Sequence, residues 1–184
     1  MSPELEQKLY DNYPKIFPLE TRARFWDLSC GDGWYPLIDR LCANIQSQVE
    51  YSRRMRAYDL RYNRALSRAI RTNDPAPLMK FVTFVMEDQR ENRCRQLLAT
   101  GAFKSVPRDI AQVVALQIKE KFGTLCFYYT GGDERISAMV SFAESVSSVI
   151  CEVCGAPGEC KTTRGWVTTL CETHRNEREN RTRQ

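Results

Sequence analysis

The sequence predicts an α+β fold, in which a helical amino-terminal layer packs on a small antiparallel β-hairpin or sheet and a small cysteine-rich module follows. Three observations predict it. Leu37, Leu41, Ile45 and Val49 recur at a spacing of four, which lines one face of a helix. Beyond Pro107 the apolar spacing changes to alternation, the pattern of a half-buried strand. Near the carboxy terminus, two residues separate Cys151 from Cys154, and two separate Cys171 from His174.

Composition limits the classes available. The chain has 184 residues, enough to bury a core without disulfides. Hydrophobic residues make up 42% and charged residues 27%, which excludes disordered and low-complexity classes. The first ten residues carry Glu4, Glu6 and Lys8 and no apolar run, so no secretory signal is expected. No stretch reaches the ~18–20 apolar residues of a spanning helix, so no membrane partner is expected. A soluble cytoplasmic protein follows from these two readings. In that compartment the eight cysteines are reduced thiols or metal ligands. The single histidine excludes chemistry that needs two.

The elements are expected in this order. Pro3 to Tyr13 reads as a short amphipathic helix, broken by Pro14 and Pro18, and Leu19 to Leu28 as a second. Cys30-Gly31-Asp32-Gly33 is a turn, and a long helix runs from Trp34 through Tyr58 to Arg71. Asn73-Asp74-Pro75-Ala76-Pro77 ends it, and Leu78 to Ala99 forms the next helix up to Gly101. Ile110 to Glu120 and Thr124 to Thr130 read as two strands joined by a glycine-containing hairpin turn. Asp133 caps a further helix that runs to about Val149. The domains expected are a core over 1–150 and a module over 151–184.

The carboxy-terminal spacing carries the strongest chemical signal. Cys-x-x-Cys-Gly at Cys151 is a knuckle that aims two sulfurs at one ion, and Gly155 suits its left-handed backbone. Cys171 and His174 open a polar, helix-like run. Arg164 to Leu170 between the pairs is β-rich and can form one arm of a hairpin. These features describe a treble-clef or zinc-ribbon module with Cys151, Cys154, Cys171 and His174 holding a structural Zn2+. Cys160 is a spare thiol whose spacing fits neither pair.

Charge is concentrated, not spread. The net charge is +4, yet residues 51–100 alone hold 11 basic and 5 acidic side chains. At 100° per residue, Arg53, Arg54, Arg61, Arg64, Arg68 and Arg71 fall within about 100° of one another. Tyr51, Met55, Tyr58, Tyr62, Leu66 and Ala69 share another side. The arginine row suits an acidic protein surface or nucleic acid, and the modest net charge favours the protein. The alternatives are a solvated face or pairing with the acidic residues of 1–50.

Catalytic readings are thinner. Asp109 with Gln117-Ile118-Lys119 echoes a metal-nuclease pattern, but on one strand Asp109 and Lys119 would lie ~30 Å apart. Nuclease chemistry on a treble clef needs a histidine beyond His174. Gly31-Asp32-Gly33 and Gly131-Gly132-Asp133 precede helices, where each aspartate is expected to cap. An enzyme would need Asp27, Asp32, Asp39, Asp109 and Asp133 to converge.

The run Gln117 to Tyr129 (QIKEKFGTLCFYY), Cys-Glu-Val-Cys-Gly-Ala-Pro-Gly from Cys151, Gly165-Trp166 and Leu-Cys-Glu-Thr-His ending at His174 together resemble a family. It comprises bacterial and bacteriophage zinc-binding accessory proteins that have no established activity. Gly31-Asp-Gly-Trp-Tyr35 looks like its amino-terminal element. The resemblance covers roughly 113–174 and implies a phage or prophage accessory factor, with Cys151, Cys154, Cys171 and His174 as metal ligands. The function expected is a non-enzymatic, zinc-stabilised protein that binds a host protein, such as defence or transcription machinery, through its basic face. Nucleic-acid binding and a metal-dependent nuclease are the alternatives.

Overall fold

The helices form where the apolar spacing places them. The computed structural model describes residues 1–25, 28–163 and 165–181. Helices α1 (Pro3–Asn12) and α2 (Leu19–Phe25) open the chain, and a two-residue strand β1 (Leu28–Ser29) follows. A 3₁₀ turn over Asp32–Trp34 then leads into α3 (Tyr35–Thr72). After a second 3₁₀ segment (Ala76–Phe81) comes α4 (Glu87–Thr100). Strands β2 (Val114–Lys121) and β3 (Thr124–Thr130), helix α5 (Glu134–Ser147), strands β4 (Glu159–Thr163) and β5 (Trp166–Leu170) and helix α6 (Glu172–Arg181) complete it. The result is helical with small β-sheets, in keeping with α+β.

Two differences from the sequence reading have local causes. Leu28 does not extend α2; with Ser29 it pairs in parallel with Ile118 and Lys119 of β2. It buries its side chain there, so tertiary pairing decides its state. The helix expected over Leu78 to Ala99 breaks between Phe81 and Glu87. Val82, Thr83 and Val85 are β-branched and resist the helix, which restarts where Glu87 and Asp88 favour a helix amino terminus. Gly101, at φ 60°, closes α4.

The chain forms two compact units. Unit 1 comprises Met1–Glu50 and Ile110–Gln184, and unit 2 comprises Tyr51–Asp109. In unit 1, β2 and β3 make an antiparallel hairpin whose turn, Phe122-Gly123, has both residues at positive φ (52° and 78°). That is the twist a two-residue connection requires. A bulge between Ala115 and Gln117 resets the register. The unit's core gathers Phe17, Trp34, Ile38, Ile45, Ile118 and Leu125, all essentially without solvent exposure. Asp133 caps α5 by accepting the Arg135 and Ile136 N–H groups.

Unit 2 has its own core of Tyr62, Leu66, Ala69, Leu78, Val82 and Cys94. Phe81 packs edge-on against Tyr58 and Tyr62 at 5.4 and 5.5 Å between centroids. Lys104 lies over both tyrosine rings and pairs with Asp59 at 3.2 Å. Asn63 and the Lys104 backbone exchange two hydrogen bonds of 2.8 Å each, which ties the segment after α4 back to α3. Of the side expected to be apolar, Tyr51 and Met55 are exposed, and burial sets in only from Tyr58.

Candidate functional site

The Cys151–Gly155 knuckle is shaped by its own backbone. Gly155, at φ 78°, donates its N–H to the Cys151 carbonyl at 2.9 Å, while the Cys151 N–H bonds the Ala156 carbonyl at 2.8 Å. The loop is thereby curled so that both cysteine side chains leave the same side. The β4–β5 hairpin, paired from Glu159↔Leu170 to Thr163↔Trp166, then returns the chain to Cys171. Cys171 immediately precedes α6, where its carbonyl accepts the Arg175 N–H at 3.0 Å. His174 lies one helical turn on, so its ring falls on the same face as Cys171. The Arg175 guanidinium anchors α6 by donating to the Glu159 and Leu170 carbonyls at 2.7 and 3.0 Å.

These elements bring one donor atom from each of Cys151, Cys154, Cys171 and His174 within 4.8 Å of one another. The four could hold one metal ion. Sγ of Cys154 and Sγ of Cys171 are 3.9 Å apart, too far for a disulfide. Nδ1 of His174 stands 3.5 Å from Sγ of Cys151 and 3.2 Å from Sγ of Cys171. Cys151 is buried, Cys171 and His174 are partly covered, and Cys154 is exposed.

Crowding governs the protons here. Burial opposes ionisation of Cys151, yet N–H groups of Cys171, Cys154 and Val153 point at its sulfur and bring the thiol down to about 6. At Cys154 the Ala156 N–H favours the thiolate, but desolvation and the neighbouring cysteines outweigh it and push the thiol up. Cys171 and Cys151 hold the His174 imidazole above its usual range. Closely spaced donors that compete for protons are what a cation placed among them relieves.

The knuckle is gripped from the other end of unit 1. The Gly33 N–H donates to the Glu152 carbonyl at 2.8 Å, and the Gly31 N–H to Oε1 of Glu152 at 2.9 Å. Trp34, fully buried, donates its indole N–H to the Ile150 carbonyl at 2.9 Å. Contact is so close that a Cβ on Gly31 would stand 2.2 Å from the Glu152 carbonyl oxygen, and one on Gly33 2.3 Å from that of Cys151. Gly31-Asp32-Gly33 is therefore a seat for the knuckle. Asp32 does not cap the helix that follows it; its carboxylate accepts the Ser2 N–H at 2.6 Å. Reading the residues alone missed this role, although two glycines flanking one residue before a tryptophan marked a close backbone approach.

Cys160 belongs elsewhere. It lies exposed on β4 with its sulfur against Gly123, outside the donor cluster. The aspartates considered for catalysis are engaged singly. Asp39 accepts the Tyr13 hydroxyl at 2.8 Å, Asp32 and Asp133 accept backbone N–H groups, and Asp27 lies outside the described residues. Asp109 precedes β2 instead of lying on it, so the single-strand geometry expected for Asp109 and Lys119 does not arise. No second group of three potential metal donors forms among the described residues.

Arg53, Arg54, Arg61, Arg64, Arg68 and Arg71 are all exposed on α3. Within unit 2, no carboxylate pairs with Arg61, Arg64, Arg68 or Arg71, since Asp59 is taken by Lys104 and Asp74 accepts the Ala76 N–H. Arg61, Arg64, Arg68 and Lys80 line an open cleft of about 480 Å³. No described helix is long and apolar enough to cross a membrane. Comparison with protein-family models, with curated proteins and with solved structures finds no match to this chain.

Proposed function

We infer that the chain is a zinc-stabilised, non-enzymatic binding protein that offers the arginine face of α3 to an anionic macromolecule. Three thiolates and one imidazole are donors that zinc takes in closed tetrahedral sites. With Zn–S near ~2.3 Å and Zn–N near ~2.0 Å, the edges of that tetrahedron measure about 3.8 Å between sulfurs and about 3.5 Å from sulfur to nitrogen. The separations of 3.9, 3.5 and 3.2 Å between the donors suit it. A knuckle, a hairpin and a ligand pair at the start of a helix support a treble-clef arrangement. Four protein ligands leave no position for substrate, so the ion's part is to hold the knuckle in place.

The observation that carries the binding reading is the arginine face, where no carboxylate of unit 2 pairs with Arg61, Arg64, Arg68 or Arg71. A row of guanidinium forks is suited to phosphate or carboxylate groups. The resemblance noted above supports a phage or prophage accessory factor acting in a bacterial cytoplasm. Affinity purification from bacterial host cells tests it, with mass spectrometry and nucleic-acid sequencing of what copurifies. Wild-type protein should retain a partner that Arg61→Glu with Arg68→Glu loses while remaining folded. The same partner retained by the variant would contradict the role of this face.

A further inference from the structure

We propose that the cleft formed by Arg61, Arg64, Arg68 and Lys80 is a phosphodiester-binding site, so that the anionic partner is a nucleic acid held by its backbone. The proposal rests on the binding reading above and names its ligand. Three features select phosphate over an acidic protein patch.

The first is the density of positive charge. Arg61, Arg64 and Arg68 occupy successive turns of one face, and Lys80 comes from the 3₁₀ segment beyond Pro75 to meet them. The one acid in the lining, Asp74, accepts the Ala76 N–H at 2.9 Å and offsets one of the four positive charges, which leaves the cleft strongly basic. Four cations gathered this way repel one another until a polyanion enters. Nucleic acid is the densest common polyanion, with one charge per ~1.7 Å of duplex axis.

The second is what the cleft lacks. Between the cations its surface comes from Ala65, Thr72, Ala76 and Pro77, with no aromatic or large aliphatic side chain. Protein interfaces draw their affinity from such anchors, packed in desolvated pockets. A backbone phosphate needs none.

The third is length. The row continues past the cleft, from Arg54 at one end to Arg71 at the other, and both are exposed. Seventeen residues of helix span about 26 Å at 1.5 Å each. That matches seven or eight base-pair steps of ~3.4 Å and exceeds any compact oligophosphate. No aromatic ring stands in the row to stack or read a base, so recognition is of backbone, independent of sequence.

The test is a salt titration on the full-length, metal-replete protein. Fluorescence polarisation is recorded with 20-nucleotide single-stranded DNA, single-stranded RNA and a 20-base-pair duplex, and with poly-L-glutamate and tripolyphosphate as competitors. Four contacted phosphates give a slope of log K against log salt of about −3 to −4. Arg64→Gln with Arg68→Gln should flatten the slope by about 2 and weaken binding at least tenfold. The charge-matched control, Arg93→Gln with Arg95→Gln on α4, should change neither. Circular dichroism confirms that both variants stay helical. Oligonucleotide binding unchanged in the first variant would overturn the assignment to this cleft. Poly-L-glutamate bound in preference to every oligonucleotide, and lost in that variant, would overturn the phosphate assignment while leaving the anionic-partner reading intact. Tripolyphosphate competing as well as the 20-mers, mole for mole, would overturn the extended-backbone reading. Binding of no probe would overturn both this proposal and the function it rests on.

Discussion

Unit 1 closes its core across longer stretches of chain than unit 2 does. In unit 1, Gly31 bonds Glu152 and Trp34 bonds Ile150 across 121 and 116 positions of chain. In unit 2 the reach is shorter: Asn63 to Lys104 spans 41 positions, and Arg56 to the Pro107 carbonyl spans 51. Distant partners must lose more chain entropy before contact rewards them. An ion held by the knuckle, onto which the amino-terminal turn docks, would therefore favour unit 1 more than unit 2.

Removing the ion should break this contrast most sharply. Cys171→Ser, or chelation of the wild type, should destabilise unit 1 by more than about 4 kcal/mol. In hydrogen-exchange mass spectrometry, protection should be lost in β4, β5 and α6 and be unchanged in α4. Uniform loss across both units would show that the metal supports the whole chain. Gly33→Ala should come next, at about 3 kcal/mol, because its methyl meets the Cys151 carbonyl oxygen, a backbone atom unable to yield. Thermal unfolding measures it, and a neutral result would mean that the turn does not seat the knuckle.

Trp34→Phe keeps most of the ring volume but leaves the Ile150 carbonyl without its indole donor. A loss of about 2 kcal/mol is expected by denaturant titration. Asp133→Ala should cost about 1 kcal/mol by removing the cap of α5, with the metal retained. Smallest is Arg64→Gln with Arg68→Gln, which should leave stability within about 0.5 kcal/mol because both side chains are exposed. A larger loss would give those arginines a structural part.

The residues disclosed some of this and concealed the rest for physical reasons. The donor set was legible because Cys-x-x-Cys and Cys-x-x-His spacing encodes local geometry, a knuckle and a helical turn. The β2–β3 hairpin was legible through alternation and Gly123. Leu28 was not, since a two-residue strand has no periodicity of its own and depends on β2 for its partner. Nor was the seat formed by Gly31, Gly33 and Trp34, because its reason lies more than a hundred residues away in the chain. The helix break after Phe81 was written in Val82, Thr83 and Val85, but the flanking apolar pattern masked it. Lys80 shows the converse: its charge is plain in the chain, and only folding sets it opposite Arg64 and Arg68. The low net charge averages over both units a positive charge that unit 2 concentrates.

Metal content measured by inductively coupled plasma mass spectrometry on freshly purified, full-length protein addresses the account at its root. One zinc per chain is expected, absent from Cys171→Ser. A folded wild-type protein carrying no stoichiometric metal would contradict it.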